Sequence, residues 1–84
     1  MKDREEWFID RVLAMVKLEV SRTMLKHKTF NSYHEGYAVI LEEMDELWDE
    51  IKKRTPCDPA IRTEAIQISA MAVRFLIDLT SASA

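Results

Sequence analysis

Apolar and polar positions follow a helical period along most of the chain, and this period is interrupted twice. Apolar residues recur every three or four positions over residues 2–26, 33–54 and 59–79, which predicts an amphipathic helix in each segment. The segments around Asn31 and Pro56 interrupt the pattern. Residues 80–84 are small and polar, so we expect a frayed tail. The pattern therefore predicts an all-α chain of three helices in a single domain, residues 1–84.

Capping residues support the starts of the second and third helices. Ser32 and Glu35 have the spacing of a capping box, in which Ser32 is the N-cap and the Glu35 side chain reaches back to the backbone N–H of Ser32. Asp58 followed by Pro59 reads as an N-cap and a proline at the first helical position. The predicted buried stripe of the second helix comprises Tyr37, Ile40, Met44, Leu47, Trp48 and Ile51.

The third helix is apolar on nearly every side, which indicates that it is covered on nearly every side. A chain of 84 residues with 48% hydrophobic residues has little volume in which to bury them. Two further helices of the same chain do not cover the third one completely. We therefore expect a homo-oligomer, in which a partner chain packs on the third helix.

Charge and composition exclude several classes of partner. The net charge is −3 and no basic stripe stands out, which argues against nucleic-acid binding. No uncharged stretch is long enough to span a bilayer, and the charged N-terminus does not resemble a secretory signal. Cys57 is the only cysteine, so an internal disulfide is excluded. Cytoplasmic residence is the expectation.

Six acidic residues lie between positions 42 and 50, and the helical period divides them into two groups. Glu43 and Glu46 are three positions apart, so they are neighbours on one flank of the apolar stripe, which also carries Glu50. The other group lies on the opposite face and is expected to be solvated: Glu42, Asp45 and Asp49. Only the flank group can face the interior of a bundle.

Glu64 and Gln67 form a second polar pair near the start of the third helix. If the second and third helices pack antiparallel, Glu64 lies about ten residues after the turn and Glu46 about eight residues before it, at comparable heights. Three carboxylates and one amide oxygen can then converge, which suits Mg²⁺ or Mn²⁺. The alternative is that these acids are solvated surface, with Glu64 exposed or paired with Arg62 or Lys53.

A basic cluster ends the helix that carries the acids, and it has two interpretations. Lys52, Lys53 and Arg54 can bind the oxygens of a phosphate, or they can simply stabilise the C-terminal end of the helix dipole.

The acidic motif resembles that of the MazG-like, all-α nucleoside triphosphate pyrophosphohydrolases. That family has an ExxE pattern, a spacer and an ExxD pattern. Here Glu43 and Glu46 match the first pattern, a spacer of 17 residues follows, and Glu64 and Gln67 stand at the second. The resemblance covers about residues 30–79. This sequence departs from the family pattern at Gln67, where an aspartate is expected.

The resemblance implies a Mg²⁺-dependent enzyme that splits a nucleoside triphosphate, with non-standard nucleotides as candidate substrates, into the monophosphate and pyrophosphate. It also implies a dimer or a tetramer whose helices form a bundle of the four-helix type. Glu43, Glu46, Glu64 and Gln67 would be the metal ligands, with Glu43 and Glu46 at the catalytic centre. Because Gln67 removes one negative charge, metal affinity should fall. Two alternatives stay open: a catalytically weak or inactive protein that binds nucleotide or metal, and a helical oligomerisation module.

Overall fold

Three α-helices make up almost the whole of the chain. The computed structural model describes residues 3–83, with α1 at Arg4–Lys26, α2 at Tyr33–Ile51 and α3 at Asp58–Leu79. A 3₁₀ turn at Ser81–Ser83 occupies part of the tail that was predicted to fray. No strand occurs between residues 3 and 83, so the all-α prediction with three helices is confirmed. The predicted start of α1 at Lys2 lies outside the described residues.

Side-chain caps hold the starts of α1 and α2. The Asp3 carboxylate accepts a hydrogen bond from the Glu6 backbone N–H at 2.8 Å. The Ser32 hydroxyl accepts from the Glu35 N–H at 3.1 Å, as predicted. The Glu35 carboxylate reaches back one residue further than in a standard capping box and accepts from the Asn31 N–H at 3.0 Å. The contacts at Ser32 and Glu35 fix the direction in which α2 leaves the segment that joins it to α1, residues 27–32, which we call the first connection.

The second connection is longer than the sequence predicted. α2 ends at Ile51, with Lys52 as its C-cap, rather than continuing to Arg54. Pro56 lies shortly after, and residues that precede a proline avoid helical backbone. At the start of α3 the N-cap is Cys57 and not Asp58, because the first helical hydrogen bond joins the Ile61 N–H to the Cys57 carbonyl at 3.0 Å.

α3 is the central helix, and α1 and α2 pack on different sides of it without packing on each other. The shared core is small and consists of Val16, Val20, Phe30, Ala70 and Met71. α2 runs antiparallel to α3, since the start of α2 lies beside the end of α3: the Tyr33 and Phe75 rings stack 6.1 Å apart. The antiparallel packing on which the site prediction depended is therefore present.

Gly36 lets α2 approach α3 closely. A Cβ atom at this position would lie 2.5 Å from the Phe75 Cδ2 and 2.9 Å from the Leu79 Cδ1. The residue is buried although it lies in the first turn of its helix. The absence of a side chain here therefore favours packing of the two helices, at a cost in helix propensity.

Arg74 ties the first connection to α3. Its side chain is 4% exposed, its Nη2 donates to the Lys28 carbonyl at 2.8 Å, and its guanidinium lies over the Phe30 ring. Asp78 accepts from the Phe30 N–H at 3.0 Å and lies 3.9 Å from Arg74. Arg74 and Asp78 therefore pair along α3, and both also hold the chain between α1 and α2.

The apolar stripe of α2 is largely exposed, so the prediction that it is core is wrong for the single chain. Tyr37 is 60% exposed and Trp48 58% exposed, and only Ile40 and Leu47 are half-buried. The reason is the open arrangement of the helices, since α1 covers a different side of α3. Within residues 3–83 no helix is long and apolar enough to cross a membrane.

Candidate metal centre

Three glutamates from two helices meet in the groove between α2 and α3. Glu43 and Glu46 lie one turn apart on α2, and Glu64 lies on the facing turn of α3. One carboxylate oxygen from each residue lies within 4.8 Å of the corresponding oxygens of the other two. Such a spacing allows all three to reach one cation, since metal–oxygen distances are about 2.0–2.6 Å.

Two of these carboxylates have a buried oxygen that lacks a partner. The Oε2 atoms of Glu43 and Glu64 are both inaccessible to water and neither has a hydrogen-bond partner. Leaving buried acceptors unsatisfied is unfavourable, and it is more so for an ionised group. A cation or a shared proton would satisfy both atoms.

The electrostatics of the cluster favour protonation in the absence of a cation. Burial raises the pKa of the Glu43 carboxyl to about 7, and repulsion from Glu46 adds to this shift. Burial also raises the pKa of Glu64, again with repulsion from Glu46 as the next cause. Three acids so close together are held by protons or by a positive charge. When all three carboxylates are ionised, their mutual repulsion therefore destabilises the cluster.

Glu46 opens the cluster to solvent. Its side chain is exposed, whereas Glu43 and Glu64 are half-buried. A cation bound here would keep part of its coordination sphere free, as Mg²⁺ usually does in proteins. The opposite group of acids is solvated as predicted, since Glu42, Asp45 and Asp49 are all exposed.

Gln67, the predicted fourth ligand, lies one turn beyond Glu64 and interacts with α1. Burial raises the pKa of the Glu19 carboxyl, but side-chain hydrogen bonds from Arg22 and Gln67 outweigh that effect, so its pKa is lowered overall. Arg22 donates to Glu19 at 3.1 and 3.2 Å. Gln67 thus lies close enough to Glu19 to lower its pKa, and an amide that donates through its nitrogen keeps its oxygen free to bind a cation.

The predicted phosphate-binding residues lie at the end of α2, and two of them have partners there. Lys52 pairs with Asp49 at 3.0 Å and Lys53 with Glu50 at 2.8 Å. Hydrogen bonding to Glu50 raises the pKa of Lys53. Arg54 lies beyond the helix and is exposed. The pairs are on the surface, so a phosphate could replace Asp49 or Glu50 at little cost.

A cavity of about 290 Å³ adjoins the cluster on the side of α1. Glu43 forms one wall, Gln67 and Arg74 of α3 form another, and His27 and Lys28 border it from the end of α1. This cavity is partly polar, and it is the space next to the glutamates in which a small ligand could lie.

Glu19 is the residue of this region that the sequence did not identify. Its position on the buried face of α1, three residues before Arg22 and four after Met15, was visible in the helical period. Its proximity to Gln67 depends on how α1 packs on α3, which the period of a single helix does not reveal.

Comparison of the chain with protein-family models, with curated proteins and with solved structures finds no match. The resemblance to the MazG-like hydrolases therefore depends on the motif and its spacing.

Proposed function

We propose that this chain is a Mg²⁺-dependent nucleoside triphosphate pyrophosphohydrolase, with its metal held by Glu43, Glu46 and Glu64. The observation that carries the proposal is the convergence of three carboxylates from two helices, each with an oxygen within 4.8 Å of the others. The motif resemblance supplies the substrate class and the reaction. Non-standard nucleotides are the proposed substrates and the cytoplasm is the proposed location.

The residues of the cluster fit Mg²⁺ or Mn²⁺. All the donors are oxygens, two of the oxygens are buried without partners, and the third carboxylate is open to solvent. Hard divalent cations prefer this donor set, and zinc prefers nitrogen and sulfur. Gln67 would contribute its amide oxygen as a fourth, neutral ligand.

In the proposed reaction, water attacks the α-phosphorus, the bond from that atom to the bridging oxygen breaks, and pyrophosphate leaves. The metal, when bound, would neutralise phosphate charge and lower the pKa of a bound water. Glu43 and Glu46 are the proposed catalytic residues, because they lie on the turn of α2 that faces Glu64. One of these two carboxylates would accept the proton that the attacking water loses.

Lys52, Lys53 and Arg54 are proposed to bind the outer phosphates, and their surface position next to the acidic helix turn supports this role. The partly polar cavity beside Glu43 is a candidate location for the rest of the nucleotide.

Two other functions remain as alternatives, each supported by a specific observation. Gln67 lacks the charge of the expected aspartate and lies close to Glu19, which favours a protein that binds metal or nucleotide without turnover. The exposed apolar stripe of α2 favours an oligomerisation module in which the acids are surface.

Pyrophosphate release from a panel of standard and non-standard nucleoside triphosphates, with and without Mg²⁺, tests the proposal. We expect release that requires the metal and that falls by at least about 100-fold in Glu46→Gln. Glu42→Gln is the matched control, because Glu42 carries the same charge on the opposite face of α2. No metal-dependent release from any nucleotide would contradict the enzyme proposal and favour the alternatives.

A further inference from the structure

Gln67 lies between a group of polar side chains on α1 and the glutamate cluster. On one side it borders a groove of about 260 Å³ between α1 and α3, together with Glu19 and Arg22. On the other side it borders the cavity of about 290 Å³ that Glu43 also lines. Among the residues that line these two spaces, Gln67 is the one that they share. Its side chain can therefore interact with Glu19 through one end of the amide and with the cluster through the other.

Arg22 holds the Glu19 carboxylate in one orientation. The Arg22 Nε donates to the Glu19 Oε1 at 3.2 Å and the Arg22 Nη2 donates to the Glu19 Oε2 at 3.1 Å. A contact through both oxygens fixes the plane of the carboxylate. The Glu19 side chain is only 13% exposed, whereas that of Arg22 is 57% exposed. Glu19 is thus a fixed and largely buried acceptor, and its oxygens have lone pairs left for a further donor.

An ionised carboxylate determines which end of a neighbouring amide faces it. It only accepts hydrogen bonds, so it attracts the nitrogen of the Gln67 amide and repels the oxygen. Burial raises the pKa of Glu19, but hydrogen bonds from Arg22 and Gln67 outweigh burial and lower this pKa overall. Glu19 is therefore ionised at neutral pH, and the end of the amide that faces away from it is the oxygen.

The unpartnered oxygens of the cluster give independent support to this orientation. Gln67 lies one turn after Glu64 on the same side of α3, and it shares a cavity with Glu43. The Oε2 atoms of both glutamates are buried and would gain from the amide nitrogen as a donor, yet both lack a hydrogen-bond partner. The nitrogen of Gln67 therefore does not donate to these two atoms, although it is a donor close to them.

We propose that Glu19 is a positioning residue for the metal centre. Its carboxylate, held by Arg22, accepts a hydrogen bond from the Gln67 amide nitrogen and thereby keeps the amide oxygen directed towards the cluster. This inference rests on the proposed metal centre and adds to it a residue of α1 that does not touch the metal. A glutamine needs such a partner, because only one end of its amide can bind a cation, whereas either oxygen of a carboxylate can. Groups that hydrogen-bond to a metal ligand commonly orient it in this way.

Calorimetric titration of the full chain with Mg²⁺ tests the role of Glu19. Glu19→Gln keeps the shape of the side chain but can donate as well as accept, so it no longer selects one orientation of Gln67. We expect the affinity for Mg²⁺ to fall by about tenfold. Glu42→Gln is the matched control, because Glu42 is a solvated acid whose charge also acts on Glu43. Its substitution should change the affinity by less than about threefold.

The background Gln67→Glu separates orientation from charge, because a carboxylate presents an oxygen at either end. There we expect Glu19→Gln to lower the Mg²⁺ affinity by no more than about threefold. Equal losses in both backgrounds would show that Glu19 acts through its charge alone and would overturn the proposal. If the natural chain and Glu19→Gln bind Mg²⁺ equally, this inference fails and the metal centre stands. If the natural chain does not bind Mg²⁺, the metal centre fails and the inference fails with it.

Nuclear magnetic resonance of the metal-free chain tests the hydrogen bond itself. Gln67 is the only glutamine of the chain, so a ¹⁵N label in the glutamine side chain gives one pair of amide signals. We expect these protons to exchange slowly with solvent in the natural chain and about tenfold faster in Glu19→Gln, because hydrogen bonds to a charged acceptor are stronger. Equal exchange in the two chains would contradict the hydrogen bond between Gln67 and Glu19 and refute the proposal.

Discussion

Glu43 of α2 and Glu64 of α3 each bury a carboxylate oxygen that has no hydrogen-bond partner, and the two residues contribute to one cluster within 4.8 Å. Glu43 and Glu64 are far apart in sequence, and the packing of α2 on α3 brings them together. Burial raises the pKa of both groups. The folded chain therefore holds a concentrated negative site whose charge is balanced by protons or by a cation, and this relationship has measurable consequences.

The first consequence is a dependence of stability on pH in the absence of metal. The folded-state pKa of Glu43 is raised from 4.5 to about 7, so the folded chain binds more protons than the unfolded chain between those values. The contribution of Glu43 is therefore present below pH 4.5 and is lost as the pH rises towards 7, by about 1–2 kcal/mol. Glu43→Gln should flatten this part of the profile, as urea denaturation at several pH values would measure. An unchanged profile in the variant would contradict the buried cluster.

The second consequence concerns Glu64→Gln in the absence of metal. The substitution keeps the shape of the side chain, removes one of three mutually repelling charges and adds an amide donor that can satisfy Glu43 or Glu46. Above pH 7 we expect the free energy of unfolding to rise by about 1 kcal/mol. Glu42→Gln, on the solvated face of α2, should change it by less than about 0.5 kcal/mol. A clear loss of stability in Glu64→Gln would show that Glu64 has a favourable partner instead.

A third prediction separates packing from helix propensity at Gly36. Alanine is about 1 kcal/mol better than glycine inside a helix, but its Cβ would lie 2.5 Å from the Phe75 Cδ2. We expect Gly36→Ala to destabilise the chain by about 1–2 kcal/mol. The reverse substitution at an exposed position of the same helix, Ala38→Gly, should cost about 1 kcal/mol from propensity alone. Thermal or urea denaturation distinguishes the two, and a stabilising Gly36→Ala would show that α2 and α3 pack less closely.

Much of the fold follows from the sequence because its determinants are local. The Ser32 cap, the proline-containing second connection and the helical period fixed the number and order of helices. The meeting of Glu46 and Glu64 also followed, because equal distances from a turn place two residues at equal heights on antiparallel helices. The end of α2 at Ile51 was less predictable, since several residues before Pro56 can leave the helix at similar cost.

The features that could not be predicted from the sequence depend on how the helices are arranged in space. The role of Gln67 as a ligand stays a prediction, and its effect on the pKa of Glu19 could not be foreseen from α3 alone, because it depends on how α1 packs on α3. Trp48 was assigned to the core from its place in the apolar stripe, yet α1 lies on the other side of α3 and leaves it exposed. A helical period identifies the apolar side of a helix and does not identify which element covers it.

Gln67→Asp gives a fourth prediction with two opposite effects. A fourth carboxylate near the cluster should strengthen Mg²⁺ binding by about tenfold, because ligand charge sets the affinity of such sites. The same change removes the amide donor to Glu19 and places a second acid beside it, so the metal-free chain should lose about 1 kcal/mol. Calorimetric titration and denaturation measure the two effects. Gln67→Ala is the control that removes the donor without adding charge, and equal metal affinity in all three chains would exclude position 67 from the site.

The measurement that tests the metal centre most directly is a thermal melt with and without Mg²⁺ or Mn²⁺ above pH 7, where Glu43 is largely ionised. We expect that metal at about ten times its Kd raises the melting temperature by about 5–10 °C in the natural chain and in Glu42→Gln. We expect no such rise in Glu64→Gln. No rise in the natural chain at millimolar metal, or an equal rise in Glu64→Gln, would contradict the metal centre.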